Sequence, residues 1–267
     1  MLKKSIIFIS ILSLVFVASV ASANHSWGTY HWPRTSNPFL LKLGDNLTSA
    51  WDAYLVTAST DWSASSVLDT AIVPGTALRH RSPNLDCSPV SNTVQVCNKT
   101  YGKNGWLGLA QIWITGGTHI TQGAVKLNDT YFNTSKYNNP NEKLHVVCQE
   151  VGHTFGLDHQ SEDGSSQNTC MDYFSNTGAN AGSTLSTHPN AHDYEQLETI
   201  YAHLETAFLS TDGGGKGKPA AVGQNMDLND PSAWGKAVRQ DARGNNSLYE
   251  RDLGNGNKIF TFVTWAE

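Results

Sequence analysis

Apolar residues recur along this chain in patterns that predict an ordered series of elements. Ile6 to Val20 is a largely apolar run behind Lys3 and Lys4. Trp27 to Leu43 is aromatic and apolar with a proline interruption, and predicts a first strand followed by a loop. Leu47, Trp51, Tyr54 and Leu55 then recur at three- and four-residue spacing, a helical pattern that Asp45 or Asn46 can cap. Val67 to Val73 is β-prone and is stopped by Pro74-Gly75. Residues 76–105, rich in Ser, Asn and Pro, predict a loop. Gly108 to Thr115 reads as a strand, with Gly123 to Leu127 as its neighbour. From about Asn141 or Glu142 to Phe155, the residues Leu144, Val147, Cys148, Val151 and Phe155 form one apolar helical face. Gln149 and His153 are left together on another. A second amphipathic helix follows Pro189, with Tyr194, Leu197, Tyr201, Leu204 and Phe208 in one stripe. Gly213 to Pro219 has linker composition. Leu248 to Leu253 and Lys258 to Trp265 are two β-prone runs around Gly and Asn turns.

The first segment sets the compartment. A charged start, an apolar middle and Ala21-Ser22-Ala23 together match a cleavable secretory signal over residues 1–23. A membrane anchor is the rival reading, but the apolar run is short for a span. The expected organisation is a signal at 1–23, a main domain at 24–211, a Gly-rich linker at 212–232 and a C-terminal β-ribbon at 233–267. Without Lys3 and Lys4, sixteen basic residues face twenty-three acidic ones, a charge of −7. That mild acidity, with no basic cluster, argues against nucleic acid or anionic membranes as partners. A monomer in an extracellular or periplasmic space is expected. Three sequons, at Asn46, Asn98 and Asn133, are expected chance matches in an Asn- and Thr-rich chain.

Four cysteines in an exported chain predict two disulfides, and Cys87–Cys97 with Cys148–Cys170 is the pairing chosen from three. A zinc-binding cysteine set is the alternative, but no C-x-x-C spacing supports it.

The candidate chemistry lies in Gln149-Glu-Val-Gly-His153-Thr-Phe-Gly156-Leu-Asp-His159. Two side chains at i and i+4 on a helix lie one above the other and can share one ion. In H-E-x-x-H helices the two His bind Zn²⁺ and the Glu acts as general base. Gly156 can take positive φ and turn the chain, which brings His159 back as a further ligand. Here Glu150 is the candidate base, and His153 and His159 are the candidate ligands. Gln149 stands at the first ligand position, where an amide oxygen is a weaker zinc donor than imidazole. His145, one turn earlier, is placed to hydrogen-bond the Gln149 amide and orient its oxygen.

This motif, followed by Met171 twelve residues after His159, resembles the metzincin zinc endopeptidases, matrixins most of all. The resemblance spans Trp27 to Phe208 in element order, and the tail after Gly213 lies outside it. It implies an α+β fold with a twisted, mostly parallel sheet, an antiparallel edge strand, and a zinc-site helix below. A Met-turn and a C-terminal helix follow, with a small β appendage at the C-terminus. By the same resemblance, Gly108, Leu109, Ala110 and Gln111 belong to the edge strand that pairs with substrate backbone, and Met171 forms an apolar floor under the metal. Tyr173 is similar to the tyrosine that astacins and serralysins place near the oxyanion; a core aromatic is the alternative. Zn²⁺ is the implied cofactor. Structural Ca²⁺ is compatible with such a protein, although no residue pattern argues for it.

The implied activity is that of a secreted zinc-dependent endopeptidase acting on protein or peptide substrates, through a metal-activated water with Glu150 as base. The alternative is a catalytically weak or inactive module of the same fold that binds peptide or matrix through its edge strand. All four cysteines are expected in disulfides, which leaves none to act as a latency switch.

Overall fold

The structure is a computed structural model that describes residues 24–76, 87–205 and 227–266. Residues 1–23, expected as a secretory signal, most of the expected glycine-rich linker and Phe208 lie outside the described residues. Eight strands form one sheet in the order β2-β1-β3-β5-β4-β8-β7-β6. They are β1 (Phe39–Asn46), β2 (Leu68–Pro74), β3 (Thr93–Lys99), β4 (Trp106–Thr115), β5 (His119–Asn128), β6 (Lys236–Gln240), β7 (Asn246–Gly254) and β8 (Asn257–Trp265). The helices are α1 (Asp52–Trp62), the single turn α2 (Asp129–Phe132), α3 (Pro140–His153) and α4 (Ala191–Ile200). Strands β2, β1, β3 and β5 pair in parallel, and β4 turns back antiparallel on β5. This is the expected α+β class.

Several elements differ in extent from the pattern-based expectation. The first strand is Phe39–Asn46, and Trp27 to Trp32 instead runs as irregular chain whose two indoles cap the end of α3. Asp45 accepts from the Leu47 N–H in a local turn and so does not cap α1, which starts later, at Asp52. Strand β3 lies inside the stretch expected as loop, where its inward Val94 and Val96 are fully buried. Helix α4 ends at Ile200, and Leu204 is exposed rather than part of its stripe. Both disulfides form as paired, Cys87–Cys97 and Cys148–Cys170.

The largest difference concerns β4. It is antiparallel but does not lie at an edge, because β8 pairs along it, with Gly108 opposite Thr264, Leu109 opposite Val263, Ala110 opposite Phe262 and Gln111 opposite Thr261. The physical reason is visible in β4 itself. Trp106 to Ile114 is buried at every position, on both faces, as an interior strand requires. The β7–β8 hairpin that delivers the partner turns at Asn255-Gly256, both at positive φ. Strands β6, β7 and β8, expected as a separate ribbon, thus extend the same sheet, and β6 and β2 are its edges.

Candidate metal centre

Helix α3 is begun and ended by specific side chains. Asn139 caps it by accepting from the Glu142 N–H at 2.9 Å, and Pro140 takes the first helical position, where no N–H is needed. At the other end the last carbonyls would lack partners. The Trp27 indole donates to His153 O at 3.1 Å, the Trp32 indole to Thr154 O at 2.7 Å, and the Tyr201 hydroxyl to Phe155 O at 2.8 Å. Gly156 then turns the chain at φ +102°, and a Cβ there would meet the Tyr30 carbonyl at 2.7 Å. The Cys148–Cys170 disulfide ties α3 to the turn carrying Met171, which is fully buried in the main core.

That turn brings His153 and His159 together. Their Nε2 atoms lie 2.8 Å apart, with the rings nearly perpendicular. His153 Nδ1 donates to the Leu157 carbonyl at 2.9 Å, and His159 Nδ1 faces the Glu162 carboxylate at 2.8 Å. Both outward nitrogens face acceptors, so the two Nε2 atoms are the ones that converge on each other. Burial, and then the neighbouring His159, hold His153 well below the ordinary imidazole range, which keeps it neutral. Two imidazoles with converging Nε2 atoms, each oriented through its other nitrogen, are a donor set that suits Zn²⁺. The residues present therefore fit a zinc ion on the observed geometry of this pair.

Glu150 lies beside them with no exposure to solvent. The approach of α3 to β4 depends on Gly108, where a Cβ would stand 2.6 Å from Glu150 Oε1. Burial raises the Glu150 carboxyl to about 8. Its Oε1 is 2.7 Å from Thr264 Oγ1, which is also 2.6 Å from Gln149 Oε1, while Glu150 Oε2 is buried without a hydrogen-bond partner. The Thr264 hydroxyl thus donates toward both the Glu150 carboxyl and the Gln149 amide oxygen, and ties the two side chains together.

The Gln149 amide is held at its other end by the Asp172 carbonyl, which accepts from Nε2 at 2.7 Å. His145 does not bond the Gln149 amide as expected: its Nε2 reaches the same Asp172 carbonyl at 3.0 Å. Gln149 Oε1 is engaged by Thr264 in this conformation. Tyr173 stacks at a tilt on His159, with ring centroids 4.5 Å apart, and its hydroxyl donates to the Val263 carbonyl at 2.7 Å. Burial, followed by the Glu162 and Glu150 carboxylates, pushes its phenol well above the usual range, so it remains a donor.

Pattern reading missed the residues that reach this centre from β8 and β6. Phe262 lies flat on His153 with centroids 4.0 Å apart and planes 12° from parallel. Arg239 of β6 forms an ion pair with Asp158, whose carboxylate also accepts from the His159 N–H at 2.8 Å. Nothing in the spacing of Phe262, Thr264 or Arg239 signals this role, since each sits on a strand whose pairing partner is set by the whole sheet. Glu162, three residues beyond His159, had a local signal as an outward partner for that ring. Beside Gln149, Leu107, Val146 and Trp265 form the apolar wall of a shallow pocket that Glu142 and His145 also line.

No protein-family model matches the chain. No curated protein matches it either. Among solved structures, it is similar to high choriolytic enzyme 1, a hatching-enzyme zinc protease from the medaka fish Oryzias latipes. That match has 10% identity and a TM-score of 0.37, and covers 66% of this chain and 96% of the other. It is also similar to myroilysin, at 13% identity and a TM-score of 0.37, with 67% and 99% covered. Overlap this loose carries no weight for the site, and the case for its chemistry rests on the side chains themselves.

Proposed function

We propose that this chain is a secreted zinc-dependent endopeptidase, held in a closed form by its own C-terminal strand. The observation that carries the metal half of this reading is the pair of converging Nε2 atoms on His153 and His159, each with its Nδ1 already committed. Zinc, when bound there, supplies a Lewis acid and lowers the pKa of its water toward neutrality. Gln149 is the third ligand, once its oxygen is released from Thr264. Glu150 takes a proton from the attacking water and passes it to the leaving amine. Tyr173 donates to the carbonyl oxygen as charge develops there.

The closed half rests on β8. It runs antiparallel along β4, as an added substrate strand would. It presents the Val263 carbonyl to Tyr173, Thr264 to Glu150 and Gln149, and Phe262 to His153. Every proposed catalytic group is thereby engaged by one short segment. In this arrangement Gly108 to Gln111 receive substrate backbone only after β8 leaves. A binding module that uses β4 as a free edge is less well supported, because β8 already fills that edge. Two disulfides suit an exported protein, and among the described residues no helix is long and apolar enough to cross a membrane.

The test uses residues 24–267 with β8 loosened by Thr264→Val and with Glu150→Ala added in that background. Zinc content by mass spectrometry should fall by one per chain in His159→Ala. Cleavage of an unstructured protein substrate should appear in Thr264→Val and vanish in the double variant. Zinc-loaded protein that cleaves nothing in any strand-loosened form would sink the peptidase reading.

A further inference from the structure

A second group of converging donors lies away from the cleft. His31, upstream of β1, and His203 and Glu205, beyond α4, place their ligand atoms within 4.8 Å of one another. His31 Nε2 is 3.1 Å from Glu205 Oε1 and 3.2 Å from His203 Nε2. His31 Nδ1 lies 2.8 Å from the Thr29 carbonyl and donates to it, which leaves Nε2 as the inward nitrogen of the ring. That nitrogen faces a carboxylate oxygen and another imidazole nitrogen, so three ligand-type atoms converge on one point. His119, at the start of β5, brings its Nε2 to 3.0 Å from the same Glu205 oxygen.

The backbone holds these residues in place. The His31 N–H donates to Thr118 O at 3.2 Å, and the Ile120 N–H donates to His31 O at 2.7 Å. The Glu205 N–H donates to Arg34 O at 3.2 Å, and the Arg34 guanidinium donates to the His203 carbonyl. The His31 side chain is only 8% exposed and that of Glu205 19%, while His119 is 40% exposed, so the cluster is anchored on one side and open to solvent on the other.

We propose that His31, His203 and Glu205 form a second metal site for a borderline divalent ion such as Zn²⁺, with His119 orienting the Glu205 carboxylate. Two imidazoles and one carboxylate are donors that zinc accepts, and a fourth position stays open to water. A hydrogen-bonded outer partner on a ligating carboxylate, as His119 provides, is the usual support for such a site. The ion would clip the segment before β1 to the chain that leaves α4.

The test counts zinc per chain after dialysis in micromolar zinc, for the wild type, His203→Ala and Glu205→Gln. Both substitutions are outside the buried core, and circular dichroism checks that each folds. The expected result is one zinc fewer in each variant, together with loss of a zinc-dependent rise in Tm that the wild type shows. His153→Ala should remove a different zinc, so His153→Ala/His203→Ala should lose two. Equal zinc content in the wild type and both single variants overturns the site and leaves His31 and Glu205 as an ion pair. That outcome would not touch the cleft, whose zinc is read from the His153→Ala difference alone.

Discussion

The Thr264 hydroxyl lies 2.7 Å from the Glu150 carboxyl, so a side chain from the last strand occupies the position from which an attacking water would be activated. Replacing it by Val keeps the shape and removes the hydroxyl. The Gln149 oxygen and the Glu150 carboxyl then lose their shared partner, at a cost of about 1–3 kcal/mol for buried polar groups. That cost falls on the closed form alone, so open molecules should become roughly 5–150-fold more abundant. Cleavage of a quenched fluorescent peptide by Thr264→Val should rise accordingly over the wild type. An unchanged rate, with zinc bound, would mean that closure does not limit activity.

The closed, metal-free chain should depend on pH through Glu150. Its carboxyl titrates near 8 in the folded state against an ordinary value of 4.5. Below about 4.5 both folded and unfolded forms hold the proton, and the stabilisation is fully present. Between 4.5 and 8 only the folded form holds it, so stability falls as pH rises, and above 8 the contribution is gone. Above the range in which His153 titrates, urea unfolding in chelator should show a lower midpoint at pH 9 than at pH 7, with lower protection factors for the β8 amides at pH 9. Glu150→Gln should flatten the difference between pH 7 and pH 9; a slope that survives the substitution would assign the dependence elsewhere.

Much of this arrangement was legible because local pattern and final structure agree. The apolar stripe of α3, Gly156 as the turn out of it, and His159 three residues later are all set within a dozen residues. So are the β7 and β8 runs around Asn255-Gly256. Pairing between distant segments was not legible. The two-residue period places Thr264 and Phe262 on the same face of a strand but does not say which strand lies beside it. The one available signal was in β4, where Leu107, Leu109, Ile112 and Trp113 occupy both faces, more apolar than an edge strand in contact with water allows. Strand β3 was hidden for another reason: Val94 and Val96 sit among Ser, Asn and Cys residues that read as loop, and burial comes from the flanking strands.

Phe262 is the apolar counterpart of Thr264. Its ring is fully buried and covers the face of His153. Phe262→Ala should remove about 3–5 kcal/mol, as large-to-small core changes do. The chain should melt several degrees lower, and peptide cleavage should increase if strand release is the route to the open form. Loss of both stability and bound zinc would instead show that Phe262 holds His153 in place for the metal.

Gln149→His separates the quality of the metal set from the closure of the cleft. Residue 149 lies one helical turn before His153 and is fully buried at the same centre. An imidazole there supplies the nitrogen donor that zinc prefers over an amide oxygen. The gain should be no smaller than the ~10–100-fold that follows from altering a ligand's outer partner. Competition against a chelator of known zinc affinity measures it directly. The substitution also removes the acceptor of Thr264, so β8 should loosen, and cleavage by Gln149→His should exceed that by Thr264→Val. Tighter zinc with no cleavage would confine the role of residue 149 to metal retention. No gain in zinc affinity would place its side chain outside the ligand set, leaving His153 and His159 as the protein ligands.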